Sequence, residues 1–168
     1  MSKIDKLVCF QKEDIDVMES WFQDAETYQR LGGILPLNDW YKFVKENENY
    51  VVWMAKNGNK VVGITMVEVD EDHTGSIAIL TNPSLRGRGI GKSLIKSTLL
   101  LDEMSHVRKW FAGIEADNKA CLKCFQTNEF VFESLYPDED GYYSLVYFVK
   151  CNNKGRKRFW CKDDFKKT

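Results

Sequence analysis

Ile77-Ala78-Ile79-Leu80-Thr81-Asn82-Pro83-Ser84-Leu85-Arg86-Gly87-Arg88-Gly89-Ile90-Gly91-Lys92 passes from an apolar strand-like run, through a proline turn, into a glycine-rich loop that opens a helix. Ile90, Leu94, Ile95, Thr98, Leu101 and Met104 then mark one face of that helix. A helix start offers N–H groups without intrahelical partners and the positive end of the dipole, so it suits an anion. Gly87, Gly89 and Gly91 let the backbone come close and take unusual φ angles. Arg86 and Arg88 add charge-assisted contacts for phosphate oxygens. The residues read as a phosphate or pyrophosphate cradle.

Two other glycine loops are excluded. A Walker A loop has its last residues in Gly91-Lys92-Ser93, but Arg86 stands where its first glycine is required. A dinucleotide fingerprint counted from Gly87 has Gly89 in place, but Lys92 falls on its third glycine. Both also need a parallel βαβ setting, whereas hairpins precede this loop.

Working outward, Asn57-Gly58-Asn59 is a hairpin turn between the β-rich runs Tyr50–Lys56 and Lys60–Val69, and Ser76–Leu80 follows a second polar turn. Lys6–Gln11 reads as an opening strand. Asp14 or Asp16 caps a helix whose apolar positions Ile15, Met18, Trp21 and Phe22 recur at helical spacing until Leu31-Gly32-Gly33. Pro36 starts a second helix carrying Leu37, Trp40, Tyr41 and Val44. After the glycine-loop helix come a strand at Trp110–Ala116, a helix at Lys119–Asn128, and strands at Val131–Leu135 and Tyr142–Lys150. The expected fold is α/β (α+β), a mixed and mostly antiparallel sheet of about six to seven strands flanked by about four helices.

Arg86, Gly89 and Gly91 meet the Gln/Arg-x-x-Gly-x-Gly/Ala signature, and the stretch Ile77–Leu94 resembles the strand-loop-helix of the GNAT superfamily of acetyl-CoA-dependent N-acetyltransferases. The element order resembles that family along nearly the whole chain. Asn118, Cys121, Phe125 and Phe130 resemble its Asn-x-x-Ala/Ser-x-x-x-Tyr-x-x-x-Gly-Phe segment, with two departures: Phe125 replaces the tyrosine that protonates the departing thiolate, and Glu129 replaces a glycine.

The resemblance implies acetyl-CoA as cosubstrate, no metal, and direct transfer to an amine in a ternary complex. The acetyl group would lie near Ile79, Leu80 and Thr81, where a backbone N–H polarises the carbonyl. The diphosphate would lie on Arg86, Gly87, Arg88, Gly89, Ile90, Gly91 and Lys92, and the pantetheine arm near Asn118 and Phe125. The amine must arrive neutral, because a lysine-like amine of pKa about 10.4 is mostly protonated at neutral pH. Glu68, late in the third strand, is the first choice of base, its plain alternative being a solvent-facing strand position. Tyr136, or else Tyr142, would protonate the thiolate. Asp138, Glu139 and Asp140 would attract a cationic amine. A non-catalytic acyl-CoA-binding sensor or subunit is the rival, favoured by Phe125.

Composition agrees with one domain, residues 1–150, followed by a basic tail, 151–168, that packs on it or stays apart. The chain of 168 residues is 43% hydrophobic and 29% charged with net charge −1, which gives no reason to expect nucleic acid as a partner. No run approaches the ~20 apolar residues of a membrane span. Five cysteines without an export signal point to free thiols and the cytoplasm. Cys121-x-x-Cys124 has no second pair to complete a metal site. A homodimer is left open.

Overall fold

The computed structural model describes residues 3–150, so the expectation about the basic tail lies outside the described residues. In chain order the elements are β1 (Lys6–Cys9), α1 (Ile15–Trp21), α2 (Ala25–Leu31), α3 (Leu37–Glu46), β2 (Tyr50–Asn57), β3 (Lys60–Val69), β4 (Thr74–Thr81), α4 (Ile90–Leu99), β5 (Lys109–Glu115), α5 (Lys119–Thr127), β6 (Val131–Phe132) and β7 (Tyr142–Phe148). The strands make one sheet in the order β1-β2-β3-β4-β5-β7-β6. The β2–β3 turn carries Gly58 at φ +59°, as the Asn-Gly signal predicts.

Every pairing is antiparallel except β4 with β5. That parallel pairing spans only Thr74↔Lys109, Gly75↔Trp110 and Ser76↔Phe111, although β4 runs on to Thr81 and β5 to Glu115. The sheet therefore opens into a split beyond Ser76. The expected mixed, mostly antiparallel class holds.

Side chains alternate across the strands and divide the core. On one face, Trp53, Val67, Ile77, Trp110, Ala112 and Ile114 pack with Ile95 of α4 and with Leu122 and Phe125 of α5. On the other, Val52, Met54, Ile64, Met66 and Leu80 pack with residues of α1 and α3 such as Met18, Leu37 and Trp40. Each fully buried large aliphatic contributes about 1.5–3 kcal/mol.

Three elements depart from expectation by more than two residues. The helix predicted up to Leu31 is two helices, α1 and α2. Asp24 takes an extended backbone and its carboxylate accepts from Thr27 N at 2.9 Å, which starts a new helix. Asp14 caps nothing in α1; it accepts from Gln11 N at 2.8 Å. The helix predicted to reach Met104 ends at Leu99, with Met104 buried by a separate short turn, so burial continued where helical geometry did not. The strand predicted for Val131–Leu135 is two residues long, because only Val131 and Phe132 find partners on β7.

Candidate active site

The glycine loop leads directly into α4. Asn82 anchors it: its Nδ2 donates to Val61 O at 3.1 Å, and its Oδ1 accepts from Ser84 N at 3.1 Å. Gly87 and Gly89 take φ of +75° and +77°, the left-handed region that costs an ordinary residue about 1–2 kcal/mol. Gly89 is the N-cap of α4. Gly91 serves by close approach instead, since a Cβ there would lie 3.1 Å from Cys124 Sγ. Asn128 clasps the two helices behind the loop, its Nδ2 donating to Lys92 O at 3.1 Å and to Cys124 O at 2.9 Å.

Where β4 and β5 part, a cavity of about 850 Å³ opens, a size that suits a small ligand. Ile79, Leu80 and Thr81 line it from β4. Arg86, Gly87, Arg88, Gly89, Ile90, Gly91 and Lys92 line it from the loop, and Asn118 and Phe125 from α5. The structure thus brings together all twelve residues expected around a cofactor. Beyond Ser76 the β5-facing edge of β4 has no strand partner, leaving backbone polar groups to face the cavity.

The two ends of the cavity differ. Asn118 caps α5, its Oδ1 accepting from Cys121 N at 3.2 Å. Phe125 is 1% exposed and meets Phe130 edge-on at 5.0 Å, so no hydroxyl stands there. Glu129 takes φ +66°, which explains why a glycine suits that position in the resembled segment. Burial pushes the Cys121 thiol up to about 12 and raises that of Cys124, so neither cavity thiol is ionised near neutral pH. Among the described residues no group of three or more His, Cys, Asp or Glu is arranged to hold a metal ion.

The far end, on the α1–α3 face, is charged. Arg30 of α2 donates through Nη1 to Glu115 and to Asp117, the latter at 2.7 Å, and Tyr142 OH donates to Glu115 Oε1 at 3.2 Å. Arg86 turns back to α2: Nη1 donates to Asp24 Oδ1 at 2.9 Å, and Nη2 to Asp24 Oδ2 at 2.5 Å and to Thr27 Oγ1 at 3.0 Å. Bonds from Arg86, then from Thr27 N, hold the Asp24 carboxyl well below the usual carboxylate range. A depressed folded-state pKa gives stability that is present above the ordinary range and lost as pH falls toward the depressed value. Asp24→Ala is therefore expected to lower the melting temperature at pH 7, with the gap to the native chain narrowing in acid below pH about 4; thermal melts across pH measure it.

Glu68 and Tyr136 are not brought into the cavity. Glu68 is exposed opposite Ser76, at the closed end of the split, because antiparallel pairing sets late β3 against early β4. Tyr136 is 77% exposed in the loop after β6. Asp138, Glu139 and Asp140 are exposed and outside the lining; Asp138 Oδ1 instead accepts from Asp140 N at 3.0 Å and Tyr142 N at 2.9 Å, shaping the turn. Lys3 and Arg30 line the cavity with no motif in the sequence to announce them, and Glu115 joins them from just ahead of the Asn118 segment, where nothing local marked it as a site residue. Lys3 Nζ donates to Arg88 O and so ties the chain start to the loop.

Among the described residues, no helix is long and apolar enough to cross a membrane. The profile of the Acetyltransferase (GNAT) family matches residues 15–130. The chain is 34% identical over 146 residues to the uncharacterized N-acetyltransferase YfmK of Bacillus subtilis (strain 168), covering 87% of this chain and 98% of that one. Its fold is similar to spermidine N-acetyltransferase from Vibrio cholerae in complex with CoA and spermine, with TM-score 0.72, 13% identity, and 85% and 94% of the two chains covered. It is equally similar to aminoglycoside acetyltransferase AAC(6')-Ib in complex with coenzyme A and kanamycin, with TM-score 0.72, 16% identity and the same coverage.

Proposed function

The chain belongs to the acetyltransferase (GNAT) family, and from that premise we propose that it moves the acetyl group of acetyl-CoA to a primary amine of a small molecule or a peptide N-terminus, with both substrates bound at once. The observation that carries this reading is the cavity at the β4–β5 split. It joins a glycine-opened helix start to a carboxylate, a guanidinium and a phenol across the sheet.

The cradle fits coenzyme A because Gly91 leaves space that a Cβ would fill and Gly87 and Gly89 expose the backbone. The amides at the start of α4 would hold the diphosphate, with Arg88 and Lys92 adding charge. The unpaired edge of β4 would hold the pantetheine amides, and Asn118 keeps Nδ2 as a donor while Oδ1 caps α5. Acetyl-CoA supplies an activated acyl thioester. The chain's own part is orientation, exclusion of water and handling of protons, and holding two reactants in register is worth about 7–11 kcal/mol in favourable cases. The un-ionised Cys121 and Cys124 support direct transfer over an acyl-cysteine route. The likeness to enzymes solved with spermine and with kanamycin supports an amine as acceptor.

The expected result is calorimetric binding of coenzyme A, and thiol release from acetyl-CoA that depends on an amine from a panel of spermine, kanamycin and a tripeptide with a free N-terminus. Absence of coenzyme A binding would sink the reading. A second reading, a non-catalytic acyl-CoA-binding module, draws on the buried phenyl of Phe125, which has no proton to give. Binding of acetyl-CoA without amine-dependent thiol release distinguishes it.

A further inference from the structure

We infer that Glu115 receives the acceptor's ammonium group and takes its proton, with Arg30 and Tyr142 holding its carboxylate at the cavity wall; this inference rests on the acyl-transfer reading above.

The glycine loop and α5 occupy one face of the sheet, so the second substrate must come from the other. Alternation along β5 sends Trp110, Ala112 and Ile114 into the α4–α5 core, and Glu115 therefore to the opposite face, where α2 meets it. Glu115 stands at the open end of the split, across from the β4 residues that line the cavity. Its side chain is 26% exposed, dry enough to strengthen a charge interaction and open enough to be reached.

Other carboxylates fall short. Glu26 also lines the cavity but is 54% exposed and lies 3.9 Å from Arg30 Nε. Asp117 is 72% exposed and outside the lining. Asp24 is engaged by Arg86, and Glu68 is outside the cavity. The charged and titratable groups around Glu115 are thus Arg30 and Glu26 on α2, Asp117 in the turn, and Tyr142 on β7. Arg30 takes Oε2 and Tyr142 donates to Oε1, so each oxygen keeps a lone pair for a proton. The Tyr142 phenol is raised by its bond to Glu115 and stays protonated near neutral pH. Arg30 is a positioning residue, because it acts through Glu115.

The protons balance. The acceptor R–NH3+ gives one proton to the Glu115 carboxylate, which later passes it to water. The freed lone pair forms the C–N bond as the C–S bond breaks and its electron pair goes to sulfur. The nitrogen's second proton leaves with amide formation and is matched by the proton that the thiolate takes up. Net, ammonium and thioester become amide, thiol and one H+.

The test uses the full chain and the best acceptor of the panel. Glu115→Gln is expected to keep its melting temperature and coenzyme A affinity while losing about a hundredfold in turnover at pH 7, the scale of general-base loss. Because the free-amine fraction rises tenfold per pH unit below the amine pKa of about 10.4, that deficit should shrink toward pH 10. A structural defect would not recover this way. Calorimetric titration of the same amine onto the coenzyme A complex should weaken at least tenfold in Glu115→Gln. Tyr142→Phe, which leaves the carboxylate in place, should show a smaller loss, and Asp117→Asn should retain most turnover. Native turnover with Glu115→Gln unaffected overturns the inference alone. So does a loss in Asp117→Asn equal to that in Glu115→Gln, or a pH-rescued loss in Glu68→Gln instead. A native chain that binds coenzyme A yet acetylates and binds no amine overturns it together with the acyl-transfer reading.

Discussion

Gly91→Leu is expected to weaken coenzyme A binding by about a hundredfold or more, about 3 kcal/mol, in a chain that still folds. Gly91 is buried in the first turn of α4, where its added Cβ would sit 3.1 Å from Cys124 Sγ, 3.5 Å from Ile79 Cδ1 and 3.7 Å from Thr81 Oγ1. Those contacts are tight but not closed, so the three further carbons of leucine have the cavity as their outlet. The fold tolerates the change because overpacking of this kind costs about 1–3 kcal/mol, and leucine recovers nearly 1 kcal/mol of helix propensity over glycine. The ligand does not tolerate it, since the space taken is the space against the helix start. Calorimetry with coenzyme A, beside a melting curve, measures both halves. Unchanged affinity in a folded Gly91→Leu would remove the cradle from the proposed function.

Trp110→Ala is expected to cost about 3–5 kcal/mol of stability, the range for deleting a buried tryptophan, out of a total of about 5–15 kcal/mol for a domain. Trp110 is 1% exposed and pairs with Gly75 in the short parallel stretch, and a Cβ on Gly75 would lie 3.0 Å from its ring. The indole fills the volume that the glycine leaves. With only three residue pairs joining β4 to β5, the same contact sits at the vertex where the strands begin to part. Urea unfolding should show a lower midpoint with little change in slope, and the melting temperature should fall by roughly 10 °C or more. A loss below about 1 kcal/mol would show that the vertex of the split is held by other contacts.

What was legible in the sequence followed from local rules. The Asn57-Gly58-Asn59 turn, the β-rich runs that became β2 and β3, and the glycines of the loop each constrain the backbone within a few residues. The twelve residues expected around a cofactor lie within two short segments and one helix, and they converge once the sheet forms. The boundary errors arose where a local signal had two outcomes. Apolar spacing continues from α1 through Phe22, yet Asp24 caps a new helix with Thr27. It also continues past Leu99, yet Met104 is buried by a separate turn.

The charged end of the cavity was not legible, for a physical reason. Arg30 and Glu115 are 85 positions apart, and no motif links them; they meet because α2 crosses the open end of the split. Glu68 looked equally suitable as a carboxylate on a strand, but antiparallel register sets it opposite Ser76, at the closed end. Tyr136 and Tyr142 flank the same loop, and only the pairing of Tyr142 with Glu115 separates the one that lines the cavity from the one in solvent. By itself the sequence determined the mixed sheet and a glycine-opened helix start, because turn chemistry and periodicity act over a few residues. Tertiary structure alone decided which carboxylate meets the cavity, because strand register and the parting of β4 from β5 are set by packing across the whole sheet.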